Sequence, residues 1–175
     1  MKIFLIGLPG CGKSTTGKQL AGALHKPFVD IDREISKRAG LSILDIFAKY
    51  GEAYFRKAEA DILSYWCAQP HDFVMATGGG TPCFYSNMET INRAGISFFL
   101  DIEIATIAAR MLQTEMARRP LFAGQNQSTI AGRVEAMRQE RLPFYQQARF
   151  TVTDGFLLDE ILQKIKTSEG KAYGK

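Results

Sequence analysis

The sequence predicts an α/β fold, a five-stranded parallel sheet flanked by helices. Three observations support this prediction: five short apolar runs, helix-like periodicity between consecutive runs, and little apolar–polar alternation within the runs. Strands that alternate with helices indicate βαβ units around a parallel sheet. Continuous apolar runs are typical of strands that are covered on both faces. At 175 residues the chain has the length of one domain, which we place at residues 1–167.

The candidate strands are short runs rich in phenylalanine, isoleucine and valine, residue types that favour strands. In chain order they are Lys2–Ile6, Phe28–Ile31, Phe73–Ala76, Ile96–Leu100 and Phe150–Thr153. Each pair of successive runs is separated by at least one stretch with helical periodicity. The sequence therefore predicts a crossover helix between each pair of successive strands.

Helix candidates fill the intervals between these strands. Ser42 is expected to cap a helix that Gly51 ends. Ser86 stands three residues before Glu89, which is the spacing of a capping box. The other helical periodicities lie in Lys13–His25, Glu52–Gln69 and residues 104–111, 130–137 and 158–165.

Two segments interrupt the alternation of strands and helices. Residues 117–127, ARRPLFAGQNQ, are mainly polar, contain glycine and proline, and lie between two predicted helices. We predict that they form a mobile lid loop. Residues 168–175 are predicted to form a flexible C-terminal tail beyond the domain.

The composition favours a protein that binds small anions. Lys and Arg total 22 against 18 Asp and Glu, a net charge of +4, and the aromatics near the arginines are scattered, unlike those of a nucleic-acid-binding surface. Three cysteines without a CxxC pair indicate a reducing compartment, and no apolar run reaches membrane-spanning length. We expect a cytoplasmic monomer that uses neither nucleic acid nor a membrane as a partner.

Residues 7–15, GLPGCGKST, match the phosphate-binding loop (P-loop) pattern in full, between a predicted strand and a predicted helix. The glycines let backbone N–H groups approach phosphate oxygens, and the positive end of the following helix faces the same anion. Lys13 is expected to reach the β- and γ-phosphates, and the Ser14 hydroxyl to bind Mg²⁺. The alternative is a glycine-rich turn that binds nothing, which the full pattern and its context disfavour.

Two carboxylates follow the second candidate strand. Asp30 and Asp32 stand two residues apart, so strand alternation places both on one side, at the sheet edge that borders the ligand crevice. One could hold the water shell of a metal ion while the other accepts a proton from the phosphoryl acceptor. The alternative for Asp32 is to cap a helix that begins at Arg33.

An arginine and a glycine triplet are candidates for binding the acceptor. Arg56 and Glu59 are three residues apart on a helix, within pairing distance, and apolar neighbours favour a half-buried arginine that binds a carboxylate. The alternative is a solvated surface ion pair. Gly78, Gly79 and Gly80 follow a strand and bring backbone close to another group, unless they form only a tight turn.

Further arginines could neutralise the charge that develops in phosphoryl transfer. Arg118 and Arg119 lie in the predicted lid, and Arg138 and Arg141 precede Pro143. The alternative is a basic surface patch without a role in transfer.

Six motifs resemble, in their order and rough spacing, those of the shikimate kinases: GLPGCGKST, FVDID, FRKAE, TGGG, RRPL and RLPFY. The similarity extends over about residues 1–165, and the combination is more specific than the first motif alone. The resemblance implies a P-loop NTPase fold similar to that of the nucleoside monophosphate kinases, with a closing lid. It also implies transfer of the ATP γ-phosphate to the 3-hydroxyl of shikimate, with one Mg²⁺ ion, in aromatic amino-acid biosynthesis.

The resemblance further implies the residues of the site. Lys13, Asp32 and Arg119 would be catalytic, with Asp32 as the base. Shikimate would be bound by Asp32, Arg56, Gly78, Gly79, Gly80 and Arg141. ATP would be bound by Gly10, Cys11, Gly12, Lys13, Ser14, Thr15, Arg110 and Arg119, with Arg110 against the adenine. Mg²⁺ would be bound by Ser14 directly and by Asp30 through water.

Other functions stay open at this level. A gluconate-type or nucleoside-monophosphate kinase shares the P-loop, as does a nucleotide-binding module without turnover. The presence of Lys13, Asp32 and Arg119 together argues against the second of these.

Overall fold

The computed structural model describes residues 1–118, 127–153 and 157–172. Its strands are β1 (Lys2–Ile6), β2 (Phe28–Asp30), β3 (Phe73–Ala76), β4 (Ile96–Asp101) and β5 (Phe150–Thr153). They form one sheet in the order β2–β3–β1–β4–β5, and every neighbouring pair is parallel. The predicted five-stranded parallel sheet is confirmed, although β2 ends one residue earlier and β4 one residue later than predicted.

Helices cover the sheet as the alternation predicts. They are α1 (Lys13–Ala23), α2 (Ile31–Ala39), α3 (Ile43–Ala68), α4 (Asn87–Ala94), α5 (Ile104–Arg118), α6 (Gln127–Tyr145) and α7 (Leu157–Ala172), and a short 3-10 turn spans Thr81–Cys83. Within the described ranges, none of these helices is both long enough and apolar enough to cross a membrane.

Strand β1 lies at the centre of the sheet and is completely buried from Ile3 to Ile6. Leu5 is paired in register with Ala76 of β3 on one side and with Phe98 of β4 on the other. The chain leaving β1 continues to β2 on one side, whereas the chain leaving β3 continues to β4 on the other side. Connections that diverge in this way open a ligand crevice at the carboxyl ends of the strands.

Two of the three predicted helix boundaries are confirmed. Ser42 accepts a hydrogen bond from the Asp45 N–H at 3.1 Å, and Gly51, at φ 77°, interrupts the helical backbone within α3. The predicted capping box from Ser86 to Glu89 is wrong. Ser86 has φ 52° and its side chain makes no capping hydrogen bond, because the cap geometry requires an extended backbone at that position.

The β2–α2 turn also differs from the prediction. Helix α2 begins at Ile31, and its N-cap is Asp30, whose side chain accepts a hydrogen bond from the Arg33 N–H at 3.4 Å. The alternative in which Asp32 caps the helix is therefore wrong. Asp32 lies in the first turn of α2, so strand alternation does not govern its direction. It still lies beside Asp30 because no loop separates β2 from α2.

The predicted lid falls mostly outside the described residues. Helix α5 ends at Arg118 and α6 begins at Gln127, so Arg119 is not among the residues that the structure describes. Helix α7 continues to Ala172, through the first residues of the predicted tail. The mobility of both segments stays a prediction.

Candidate active site

A cavity of about 790 Å³ opens at the carboxyl ends of β1, β2 and β3. Its lining includes the predicted nucleotide-binding residues of the P-loop, which are Gly10, Cys11, Gly12, Lys13, Ser14 and Thr15. It also includes Asp30, Asp32, Gly79 and Arg110. Residues from four separate parts of the chain therefore share one cavity.

The backbone of the P-loop curls around the side chain of its own lysine. Gly7, Gly10 and Gly12 have φ values of 143°, 79° and 100°, a region that residues with side chains rarely adopt. The Lys13 Nζ donates hydrogen bonds to the carbonyls of Gly7 at 2.9 Å and Leu8 at 2.8 Å. Because Lys13 is 8% exposed, these bonds hold its positive charge in a fixed position beside the cavity.

A hydroxyl and a carboxylate meet at the start of α1. The Ser14 Oγ donates a hydrogen bond to Asp30 Oδ2 at 2.6 Å, and both residues line the cavity. No group of three or more His, Cys, Asp or Glu side chains forms a metal cage in the described ranges. This sparse set of hard oxygen donors fits Mg²⁺, which commonly takes one or two protein ligands and fills its shell with phosphate oxygens and water.

Asp32 is a half-buried carboxylate with one buried, unpaired oxygen. In the part of the chain that the structure describes, its Oδ1 is buried and has no hydrogen-bond partner. Burial, followed by the carboxylates of Glu59 and Asp30, raises the pKa of Asp32 to about 6, against the opposing charges of Lys13 and Arg56. Such a group is ionised at pH 7 and is a stronger base than an ordinary aspartate, which suits it to accept a proton.

We predict an acid limb in the pH profile of the acceptor kcat/KM, with a midpoint near pH 6, where Asp32 titrates. Below the midpoint the rate should fall about tenfold per pH unit, because only the ionised carboxylate can accept a proton. Steady-state rates between pH 5 and 8.5, with a parallel titration of ATP binding as control, provide the measurement. A profile that stays flat down to pH 5 would contradict the assignment of Asp32 as base.

Glu59 is a buried carboxylate that hydrogen-bonds two residues near the cavity. The sequence identifies it only as a partner of Arg56. Its side chain is 1% exposed, and it accepts hydrogen bonds from Arg56 Nη1 at 2.7 Å and from the Thr81 hydroxyl. A Cβ on Gly78 would clash with Glu59 Oε1 and lie 3.1 Å from Asp32 Oδ1, so the two carboxylates flank this glycine. The alternative of a solvated surface pair is wrong, because both side chains are largely buried.

The sequence signal for Glu59 was its spacing from Phe55 and Ile62, which places it on the apolar face of α3. Phe84 had no such signal. Its ring centroid lies 4.7 Å from Arg56 Cζ, so the segment after the glycines packs against the guanidinium.

Gly79 and Gly80 make room for two guanidinium groups. A Cβ on Gly80 would lie 2.5 Å from Arg56 Nη1, and a Cβ on Gly79 would lie 3.1 Å from Arg141 Nη1. Arg56 comes from α3 and Arg141 from α6, so the triplet is where two arginines distant in sequence approach each other. Because a Cβ at each of the three positions would meet a charged side chain, a plain tight turn does not account for the triplet.

Replacing Gly80 by alanine is expected to raise the acceptor KM about tenfold or more while changing the ATP KM little. The backbone at Gly80, with φ −90°, tolerates alanine, but the new methyl group would displace the Arg56 guanidinium. Gly22→Ala is the matched control, because a Cβ there has no neighbour within 4 Å. Equal changes in both KM values would show that the methyl group disturbs the whole cavity instead.

The remaining predicted arginines have different placements. Arg110 Nη1 donates to the Gly10 carbonyl at 3.5 Å, beside the P-loop. Arg138 Nη2 donates to both carboxylate oxygens of Asp101 at 3.0 Å, which ties α6 to the end of β4. Arg119 lies outside the described residues, so its role at the transferring phosphate stays a prediction.

The shikimate kinase family model matches residues 9–168. The chain belongs to the shikimate kinase family. A shikimate kinase of Bacteroides fragilis is 38% identical over 150 residues, which are 86% of this chain and 83% of the relative. A shikimate kinase of Symbiobacterium thermophilum is 38% identical over 167 residues, which are 94% of each chain. The resemblance that the six motifs indicated is confirmed.

Solved shikimate kinases share this fold. The crystal structure of the Bacteroides thetaiotaomicron shikimate kinase has a TM-score of 0.83 and 32% identity, over 97% of this chain and 98% of that one. The shikimate kinase of Acinetobacter baumannii, solved in complex with shikimate, has a TM-score of 0.81 and 30% identity, over 99% and 95% of the two chains. The predicted P-loop kinase fold and the predicted kinase class are confirmed.

Proposed function

We propose that this protein transfers the γ-phosphate of ATP to the 3-hydroxyl of shikimate, which yields shikimate 3-phosphate and ADP. The observation that carries the proposal is the free, buried oxygen of Asp32, whose charge interacts with both Lys13 and Arg56. The proposed proton acceptor is therefore close enough to interact with Lys13, which would bind phosphate, and with Arg56, which would bind a carboxylate. An acceptor that carries a hydroxyl and a carboxylate fits this arrangement.

The P-loop side binds the nucleotide. The loop N–H groups and the N-terminus of α1 would hold the phosphates, and the Lys13 ammonium would offset the charge that develops on the transferred phosphoryl group. Arg110, beside Gly10, would contact the adenine end of ATP. Arg119 would approach the same phosphoryl group when the lid closes.

Ser14 and Asp30 would hold one Mg²⁺ ion, Ser14 through its hydroxyl and Asp30 through water. When bound, the ion supplies charge neutralisation for the β- and γ-phosphate oxygens. The existing Ser14–Asp30 hydrogen bond of 2.6 Å keeps these two oxygen donors together.

The opposite side binds the acceptor. Arg56 and Arg141 would bind its carboxylate, and the backbone of Gly78, Gly79 and Gly80 would line the same region. Asp32 Oδ1 would accept a hydrogen bond from the reacting hydroxyl and take its proton as the oxygen attacks phosphorus. The phosphoryl–oxygen bond forms on the acceptor while the bond to ADP breaks.

We further propose that the enzyme acts as a cytoplasmic monomer, without nucleic acid or a membrane as partner. The three free cysteines fit a reducing compartment.

A coupled ADP-release assay with Mg-ATP tests the proposal against shikimate, gluconate, CMP and AMP. ADP release with shikimate alone, together with ³¹P NMR of a phosphate ester at the 3-position, is the expected result. Turnover of gluconate or a nucleotide with shikimate inert would replace this function by another small-molecule kinase activity. ATP binding without turnover of any acceptor would indicate a nucleotide-binding module.

A further inference from the structure

Tyr145 is a fully buried tyrosine at the end of α6, and the proposed transfer reaction gives it no role. Its exposed fraction is 0%. Its hydroxyl donates a hydrogen bond of 2.5 Å to the carbonyl of Gly79, in the middle of the glycine triplet. A buried phenol requires a hydrogen-bond partner, but packing alone does not require that the partner be an active-site backbone group.

The ring of Tyr145 is fixed by packing on the central sheet. It lies against Phe99 of β4, with the ring centroids 5.1 Å apart and the planes inclined at 36°. Burial raises the pKa of the Tyr145 phenol well above its ordinary range, so the group stays a neutral donor throughout the working pH of the enzyme. The hydroxyl therefore has a constant position and a constant hydrogen-bonding character.

An arginine of the acceptor side lies close to the same hydroxyl. Arg141 precedes Tyr145 by one helical turn on α6, and its positive charge opposes the rise in the pKa of the Tyr145 phenol that burial causes. A Cβ on Gly79 would lie 3.1 Å from Arg141 Nη1, so the backbone that the phenol binds and this guanidinium are neighbours. One phenolic group fixes the relative position of two components of the acceptor region.

The glycine that Tyr145 contacts also faces the nucleotide side. A Cβ on Gly79 would lie 2.7 Å from Pro9 Cδ in the P-loop, so backbone and loop are in close contact at this point. A displaced Gly79 carbonyl would move the triplet relative to the P-loop.

We propose that Tyr145 is a positioning residue for the acceptor, which holds the Gly79 backbone and the Arg141 guanidinium in the arrangement that receives the acceptor carboxylate. This inference rests on the proposed function, because it requires a carboxylate-bearing acceptor. Tyr145 is not among the residues that line the cavity of the P-loop and Asp32. It acts through Gly79 and Arg141, so its removal should weaken acceptor binding selectively.

Tyr145→Phe tests the proposal, since it deletes one oxygen and keeps the ring. We expect the shikimate KM, and the shikimate Kd from calorimetry, to rise about tenfold, with kcat and the ATP KM within about twofold of the parent. Phe98→Leu is the matched control for lost stability. Phe98 is 0% exposed and stacks on Phe150, with the centroids 5.3 Å apart, so this substitution removes buried apolar packing without deleting a hydrogen bond.

Each outcome separates the two ideas. If the parent protein phosphorylates shikimate and Tyr145→Phe leaves the shikimate KM unchanged, the positioning role is overturned and the proposed function stands. A shikimate KM that rises equally in Phe98→Leu, or an ATP KM that rises equally in Tyr145→Phe, would reduce Tyr145 to a structural residue. A parent protein that is inert toward shikimate would overturn the proposed function and the positioning role together.

Discussion

Replacing Lys13 by methionine is expected to abolish phosphoryl transfer, with kcat reduced at least about a thousandfold. Methionine keeps an unbranched, apolar side chain of similar length and removes the charge. In the structure that charge is nearly buried and is held by the carbonyls of Gly7 and Leu8. Residues 7–15 contain no second lysine or arginine that could replace it. ADP release at saturating ATP and shikimate measures the effect.

Lys18→Met is the matched control for this experiment. Lys18 is an exposed lysine on the same helix, five residues farther along the chain. Its variant should retain the parent rate, and circular dichroism should show that both variants are folded. A Lys13→Met variant that is folded and keeps more than a tenth of the parent kcat would contradict the assigned role of the lysine.

Replacing Asp32 by asparagine is expected to reduce kcat by about 10²–10⁴-fold, the range that a general base contributes. Asparagine has nearly the same shape, so substrate binding should change much less than the rate. The rate should fall because Asp32, whose Oδ1 is free and whose charge interacts with Lys13, is the group that we propose to take the proton from the acceptor hydroxyl. Single-turnover rates at pH 7.5 separate the chemical step from binding.

The same substitution is expected to stabilise the fold. The pKa of Asp32 in the folded chain, about 6, lies above the ordinary value of 3.8. Its ionised form therefore weakens the fold, fully above about pH 6 and not at all well below pH 3.8. Asp32→Asn should raise the free energy of unfolding by about 1–3 kcal/mol at pH 7.5 and by roughly half as much at pH 5.

Asp61→Asn is the control for these measurements, because Asp61 is 56% exposed and pairs with Lys57 at the surface. Its variant should differ from the parent by a few tenths of a kcal/mol at most. A lower free energy of unfolding in Asp32→Asn at pH 7.5 would contradict this prediction. It would mean that the ionised Asp32 carboxylate stabilises the fold.

The strands and the P-loop could be predicted because their signals are local. β1 is a continuous apolar run, and the residues that follow it match the P-loop pattern in full. The Arg56–Glu59 pair was predictable for the same reason, since three residues on one helix fix the distance between two side chains. Family membership rested on six such local motifs in the right order.

Predictions failed where a boundary or an orientation depended on neighbours elsewhere. Asp30 caps α2 and also binds the Ser14 hydroxyl, which moves the helix start to Ile31 and places Asp32 on a helix. Ser86 has a left-handed backbone conformation, so its side chain does not make the predicted capping hydrogen bond. Sequence spacing alone did not distinguish these outcomes, because each backbone conformation satisfied the local pattern.

The sequence by itself determined the order of strands and helices, the P-loop and the family. Only the tertiary structure decided that Gly78 separates two carboxylates, that Glu59 is buried beneath Arg56, and that Tyr145 binds Gly79. The physical reason is that burial and hydrogen bonding depend on which distant segments the strand order brings together. The residue pattern of one segment indicates whether that segment is a helix or a strand. It does not indicate which distant segment will pack against it.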